Sequence, residues 1–408
     1  MPLDTCYKPH IAQISHSSEG SGAGSTDHRH ALVSAYQEQD SIFARPFAIL
    51  SQAIVDHAFP AASVAVTSQG SLVAWKALGR FTYQADSPAV TPASVFDLAS
   101  VSKVVATTTM AMLLYERGIL DLEMPVVAVV PEFVGRKSAQ SSDAGGTEHS
   151  LGNSRRREIT IRMLLAHCSG LPAYERLFQR TNAREALLHA AFSTPLAVDP
   201  GTRAKYSDIG FIILGVTLER LADESLDRFC QREVFGPLGM AHTTFNPPEA
   251  WRSRIPPTVD DETFRRRIIQ GEVQDENASV LGGVAGHAGV FSTAEDVAVF
   301  ANAMLAGGRP VLRPETVEVF TRAESVPAGT SRALGWDTPS SPSQSGKYFS
   351  PGSYGHLGYT GTSLWIDPVR QLSVTLLTNR TWPDCSSQAI KEVRPKFHDA
   401  VVEALGKG

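Results

Sequence analysis

Cysteine is scarce in this chain, with only Cys6, Cys168, Cys230 and Cys385 in 408 residues. None forms a C-x-x-C pair or sits at zinc-finger spacing, so neither a disulfide framework nor a structural zinc organises the fold. Surplus basic charge is missing too. Lys plus Arg number 37 against 42 Asp plus Glu, a net charge of −5. That leaves no broad positive field to hold nucleic acid or an anionic membrane. Long apolar runs are absent. The longest, Val104–Leu114 and Ile209–Leu214, fall well short of the roughly 18–20 residues of a membrane span. The N-terminus has no basic segment followed by an apolar one, so no secretory signal is read and a cytoplasmic location is expected. Internal repeats are lacking, and nothing in the sequence signals an oligomeric state. Also missing are G-x-S-x-G, H-E-x-x-H, a Walker loop and G-x-G-x-x-G, which weakens the α/β-hydrolase, zinc-protease and nucleotide-binding readings.

What is present is a globular composition, 42% hydrophobic and 19% charged. The first 38 residues are rich in Ser, Gly and His and read as a flexible tail, in which Asp27-His28-Arg29-His30 is a solvated run and not a metal patch. Phe43, Phe47, Leu50 and Ile54 recur at helical spacing. Ser63–Thr67 and Ser71–Trp75 alternate around Gln69-Gly70, a hairpin signal. A second pair, Ser363–Ile366 and Leu372–Thr378, flanks Asp367-Pro368, and an amphipathic helix follows over Gln388–Leu405. Strands at both ends, with helices between them, predict one antiparallel sheet closed by the two chain ends. The expected organisation is a tail (1–38), a discontinuous α/β domain (39–132 and 288–408) and an inserted, mainly helical domain (133–287). Residues 136–157, polar and ending in three arginines, read as a surface loop.

One motif carries chemistry. Ser100 and Lys103 form S-x-x-K within Phe96–Lys103, read as the start of a helix running to Glu116. Residues three apart share a helix face, so the hydroxyl and the amine come within hydrogen-bonding reach. The serine amide at the helix start favours developing negative charge. A lysine in an apolar pocket has its pKa lowered enough to assist a serine nucleophile. Two further segments stand at useful places. Tyr206-Ser207-Asp208 lies on a turn just before a helix, and Gly355–Trp365 is a glycine-rich strand edge offering an unpaired N–H as an oxyanion donor.

With these three segments in order, residues 45–405 resemble the penicillin-recognising serine hydrolases, above all the class C β-lactamase, D,D-peptidase and family VIII carboxylesterase group. The motifs are Ser100-Val101-Ser102-Lys103, Tyr206-Ser207-Asp208 and His356-Leu357-Gly358. The stretches Leu164–Pro172, Pro237–Met240 and Gly286–Thr293 fit as well. The resemblance implies an α/β (α+β), β-lactamase/transpeptidase-like fold, with a central antiparallel sheet flanked by helices and an inserted helical domain. It also implies that Ser100 forms an acyl-enzyme, that Lys103 and a near-anionic Tyr206 share the proton work, and that the N–H groups of Ser100 and Tyr359 form the oxyanion hole. No metal or organic cofactor is implied.

Departures from the family pattern bear on substrate. His356 and Leu357 stand where relatives carry Lys and Thr that grip a substrate carboxylate. A neutral imidazole and an aliphatic chain make a poor anion site. Losing such a contact costs about 1.5–3 kcal/mol per charged hydrogen bond. A small uncharged ester is therefore the expected substrate, with β-lactams or D-Ala-D-Ala peptides as the rival and a catalytically silent binding protein as a second rival. Asp208 in place of Asn removes an amide donor and, when ionised, opposes a Tyr206 phenolate. Asp275, Glu276 and Asn277, together with Gly358, are the further substrate-wall candidates. His287 and Cys168 are read as structural.

Overall fold

The computed structural model describes residues 32–134 and 155–406. Most of the N-terminal tail, including the His-rich run, and most of the loop read over 136–157 lie outside the described residues. The main sheet takes Val33–Ser34 (β1), Ala61–Ser68 (β2) and Ser71–Gly79 (β3) from the start of the chain. Its other half is Tyr354–Leu357 (β4), Ser363–Asp367 (β5) and Leu372–Thr378 (β6). The order is β1-β3-β2-β6-β5-β4, so the two chain ends meet at the β2–β6 ladder, which runs from Leu372↔Ser68 to Thr378↔Ala62.

Side-chain size along β2 explains how the sheet is covered. Val64 and Val66 face one side and pack with Phe47, Leu50, Val374, Leu376 and Phe397. There Ala44–Val55 (α1) and Ile390–Ala404 (α5) lie against each other. The alternate residues, Ala61, Ser63, Ala65 and Thr67, are small, and on their side Ala294–Leu305 (α4) lies close to β2 and β6. Every β2 residue is buried, as a strand sandwiched between two helical layers must be. The β2–β3 turn places Gln69 at φ +52° and Gly70 at φ +77°, the pair of left-handed residues that a two-residue hairpin needs.

Several expectations are corrected. Residues 33–34, assigned to the tail, form β1 and pair in parallel with β3, so the sheet is mixed. Phe96–Asp97 is not the start of a helix but a short strand paired with Val290–Ser292. The chain turns at Ala99 (φ +46°), and the helix proper follows in wide π-type turns over Lys103–Thr108 before Thr109–Glu116 (α2). The middle segment holds Asp208–Ala222 (α3) among its helices, but also a two-stranded ribbon, Val259–Asp261 with Arg267–Ile269. Arg156, within the stretch read as a surface loop, is buried and donates to the carbonyls of Phe192 and Thr194 above the Phe133 ring. Cys168, Cys230 and Cys385 are free thiols. Among the described residues no helix is long and apolar enough to cross a membrane.

Candidate active site

Ser100 sits on a tight turn that two buried groups hold in place. Asp97 accepts the Ala99 amide at 2.8 Å and the Gln274 amide at 2.7 Å. Thr362 Oγ1 donates to the Leu98 carbonyl at 2.9 Å. The first fixes a left-handed Ala99, a conformation that costs a non-glycine residue energy and needs support. The second ties the turn to the residue just before β5. Burial pushes the Asp97 carboxyl up to about 6, against the two amides it accepts.

Lys103 lies one turn behind Ser100 and is fully buried. Its Nζ donates to Ser100 Oγ at 2.9 Å, Asp208 Oδ1 at 2.7 Å and the His287 carbonyl at 2.8 Å. Gly286 makes the last contact possible. A Cβ there would lie 2.1 Å from the Phe211 carbonyl, so only glycine lets this segment approach α3. Burial pulls the Lys103 pKa below its ordinary value, while the Asp208 carboxylate resists.

Tyr206 comes from the turn before α3, where the Ser207 hydroxyl caps the helix by accepting the Gly210 amide at 3.0 Å. Its hydroxyl lies 2.5 Å from Ser100 Oγ and 3.0 Å from Asp208 Oδ1. Burial first, and the Asp208 charge second, push the phenol well above its usual pKa. The near-anionic Tyr206 implied by the resemblance is therefore opposed by its own surroundings. Neither the Ser100 nor the Tyr359 amide hydrogen has an acceptor among the described residues.

These groups border one cavity of about 1100 Å³, at the upper end for small-molecule sites. Of the residues singled out in the sequence, Ser100, Tyr206, Asp208, Asp275, Glu276, His356, Leu357, Gly358 and Tyr359 line it. Lys103 stands behind its wall. Asn277 does not face it. The Asn277 side chain accepts the Phe178 amide and donates to the Glu175 carbonyl, so it is spent on bracing a loop. Asp275 Oδ1 lies 2.8 Å from His287 Nε2. Burial alone would raise the Asp275 carboxyl, but His287, the Ala278 amide and Lys103 together hold it below its ordinary value.

His356 is only 2% exposed. Its Nδ1 lies 2.8 Å from the Leu357 carbonyl, which can only accept, so Nδ1 carries the proton. Its Nε2, buried and without a partner, is then an unused acceptor in a residue of the cavity wall. Burial, with Lys103 and Arg332 nearby, holds the imidazole well below 6.5.

Some site residues escaped the sequence reading. Arg332 reaches in from a loop, paired with Asp337 and 5.7 Å from the centre of the Tyr206 ring. No motif surrounds it, so nothing in the sequence could have flagged it. His167 takes a left-handed φ of +56° and accepts the Ser207 amide at 3.0 Å. Its ring lies 4.8 Å from that of Tyr206, which fixes the tyrosine from behind. Its place in Leu164–Pro172 was the available signal. Among the described residues no group of His, Cys, Asp and Glu is arranged to hold a metal.

Comparison with known proteins gives a consistent outcome. A family model described as Beta-lactamase matches residues 32–392. A Salmonella agona protein named "Putative D-alanyl-D-alanine carboxypeptidase" is 30% identical over 359 residues, 80% of each chain. Among solved structures, EstCE1, described as a hydrolase with promiscuous acyltransferase activity, superposes with a TM-score of 0.70 at 22% identity, covering 90% of this chain and 100% of that one. A β-lactamase from a Sulfitobacter species gives 0.68 at 22% identity, covering 90% and 99%. At such identities the structural likeness speaks for the fold.

Proposed function

The chain belongs to the β-lactamase family of serine hydrolases, and from that premise we propose that it is a carboxylesterase acting on small uncharged esters through an acyl-enzyme. In this reading Ser100 Oγ attacks the acyl carbon. The Ser100 and Tyr359 amides, free of other acceptors, take the developing oxyanion. Lys103 and Tyr206 handle the proton, and water then releases the acyl group. The observation that carries the ester preference is His356. A neutral, buried imidazole with a bare lone pair occupies the strand position beside Tyr206. It offers a substrate carboxylate no positive charge.

A second reading, hydrolysis of D-Ala-D-Ala peptides, draws on the name of the Salmonella relative and on the Arg332 and Arg380 side chains lining the cavity. Both guanidinium groups already have partners, Arg332 with Asp337 and Arg380 with the Tyr359 and Ser387 carbonyls. That ranks this reading second. The test is a panel of a short-chain p-nitrophenyl ester, a chromogenic cephalosporin and a D-Ala-D-Ala peptide, run beside Ser100→Ala. Ester turnover that exceeds the other two and vanishes in Ser100→Ala is expected. Preferred cleavage of the peptide or cephalosporin would replace the ester reading. Undiminished turnover by Ser100→Ala would overturn the mechanism.

A further inference from the structure

We propose that Asp208 is the terminal acceptor of the Ser100 proton, reached through a neutral Tyr206. The inference rests on the acyl-enzyme reading and adds to it a residue that acts through Tyr206 and takes up the proton. Three contacts form a chain. Ser100 Oγ meets Tyr206 Oη at 2.5 Å, Tyr206 Oη meets Asp208 Oδ1 at 3.0 Å, and the same Oδ1 accepts from Lys103 Nζ at 2.7 Å. The carboxylate and the His287 carbonyl can only accept, so Lys103 must donate to both. As an ammonium it has a third hydrogen for Ser100 Oγ at 2.9 Å, which satisfies every donor it owns. The serine hydrogen then points at Tyr206, and the tyrosine hydrogen at Asp208. Each hydrogen in the network has one acceptor. Asp208 is also the first residue of α3, where the helix dipole favours a carboxylate.

The protons balance. As the Ser100 Oγ–acyl bond forms, the serine proton passes to Tyr206 Oη while the tyrosine proton passes to Asp208 Oδ1. The carbonyl π pair moves onto oxygen. When that pair returns and the bond to the leaving alkoxide breaks, Tyr206 protonates the alkoxide and recovers a proton from Asp208. Deacylation repeats the sequence, with water as the donor and Ser100 Oγ as the final recipient. Lys103 stays an ammonium throughout, paired with the Asp208 carboxylate before the transfer and again after the proton returns.

The rival is a neutral Lys103 that itself takes the serine proton, and the two make opposite predictions for Asp208→Asn. The groups facing Asp208 are Lys103, Tyr206 and Tyr174, and Asp275 and Arg332 act on Lys103 beside it. Of these, Lys103 is pulled by burial below its ordinary pKa, and Asp208 opposes that shift. With Lys103 as base, removing the carboxylate frees the amine, so activity persists and the acid limb of the kcat/KM profile moves to lower pH. With Asp208 as acceptor, Asp208→Asn loses about 10²- to 10⁴-fold in ester kcat/KM, the scale of a removed general base. The residual activity then peaks at higher pH.

The experiment is the kcat/KM–pH profile of p-nitrophenyl acetate hydrolysis for the parent, Asp208→Asn, Tyr206→Phe and the double variant, with Ser100→Ala as the floor and circular dichroism to confirm folding. The two single losses should match and the double should cost no more, because they cut one chain. Retained activity with an acid limb at lower pH, or losses that multiply in the double variant, would overturn the relay. Turnover surviving in Ser100→Ala would instead overturn the acyl-enzyme reading beneath it.

Discussion

Gly358→Ala tests whether the end of β4 is placed by contact with the nucleophile turn. A Cβ at Gly358 would sit 1.9 Å from Thr362 Oγ1 and 2.6 Å from the Leu98 carbonyl, where ordinary contact begins at 3.4 Å. The hydroxyl can swing aside, but doing so breaks its bond to the same carbonyl. The carbonyl is backbone and can only recede together with Ser100. The strand end and the serine turn must therefore separate by roughly 1 Å, a misplacement that typically costs about 10²-fold in rate. Because the Ser100 and Tyr359 amides lie on opposite sides of that gap, the loss should fall on kcat, with KM little changed. Overpacking should cost about 1–3 kcal/mol of stability as well. The assay is p-nitrophenyl acetate turnover under saturating substrate, beside urea unfolding. Gly352→Ala is the control, since nothing lies within 4 Å of a Cβ there. A Gly358→Ala protein whose kcat stays within about three-fold of the parent would refute the contact argument.

Asp97 and His356 give two further predictions. The folded state raises the Asp97 carboxyl to about 6 and so binds that proton more tightly than the unfolded chain, giving a stability contribution that is present at acid pH and lost as pH rises through 6. Asp97→Asn cannot titrate, so its destabilisation should shrink by about 1–2 kcal/mol from pH 5 to pH 7.5. A pH-independent difference in urea midpoints would contradict this. His356→Lys should raise kcat/KM for carboxylate-bearing esters over neutral ones by about ten-fold or more, the worth of one charged hydrogen bond. An unchanged ratio would mean that position 356 does not meet the substrate.

The sheet and the catalytic triplets were legible because each is written in a short-range pattern. Alternation around Gln69-Gly70 and Asp367-Pro368 marked both hairpins, and the observed strands extend the expected ones by a few residues at most. Ser100 and Lys103 are one turn apart, and Ser207 announces a helix start. What escaped was decided by distant partners. Ala99 carries no sign of a left-handed turn, because the support comes from Asp97 and the strand after Gly289. Asn277 looks like any polar wall residue until the Glu175 and Phe178 backbone groups claim its amide. Arg156 reads as one of three arginines ending a surface loop, yet it finds two carbonyls and an aromatic face at the end of a helix. Arg332 had no local signature at all.

Charge pairing within the cavity bears on substrate choice more directly than the sequence departures did. Lys103 is matched by Asp208 and Arg332 by Asp337. Arg380 donates to the Tyr359 carbonyl and Arg394 Nη2 to the Gly358 and Thr362 carbonyls, though Arg394 Nε has no partner among the described residues. The cations left to solvent, Arg176 and Lys391, are exposed at the cavity edge. A carboxylate bound past that edge, beside Ser100, would have to break one of these pairs and leave a charge without its partner, a loss comparable to what it gained. A neutral ester asks for no such exchange, since it needs only the two free amides and a wall of mixed polarity. The mild acidity of the whole chain plays no part in this. What disfavours a carboxylate is that the buried cations of the site already have partners, and His356 adds none.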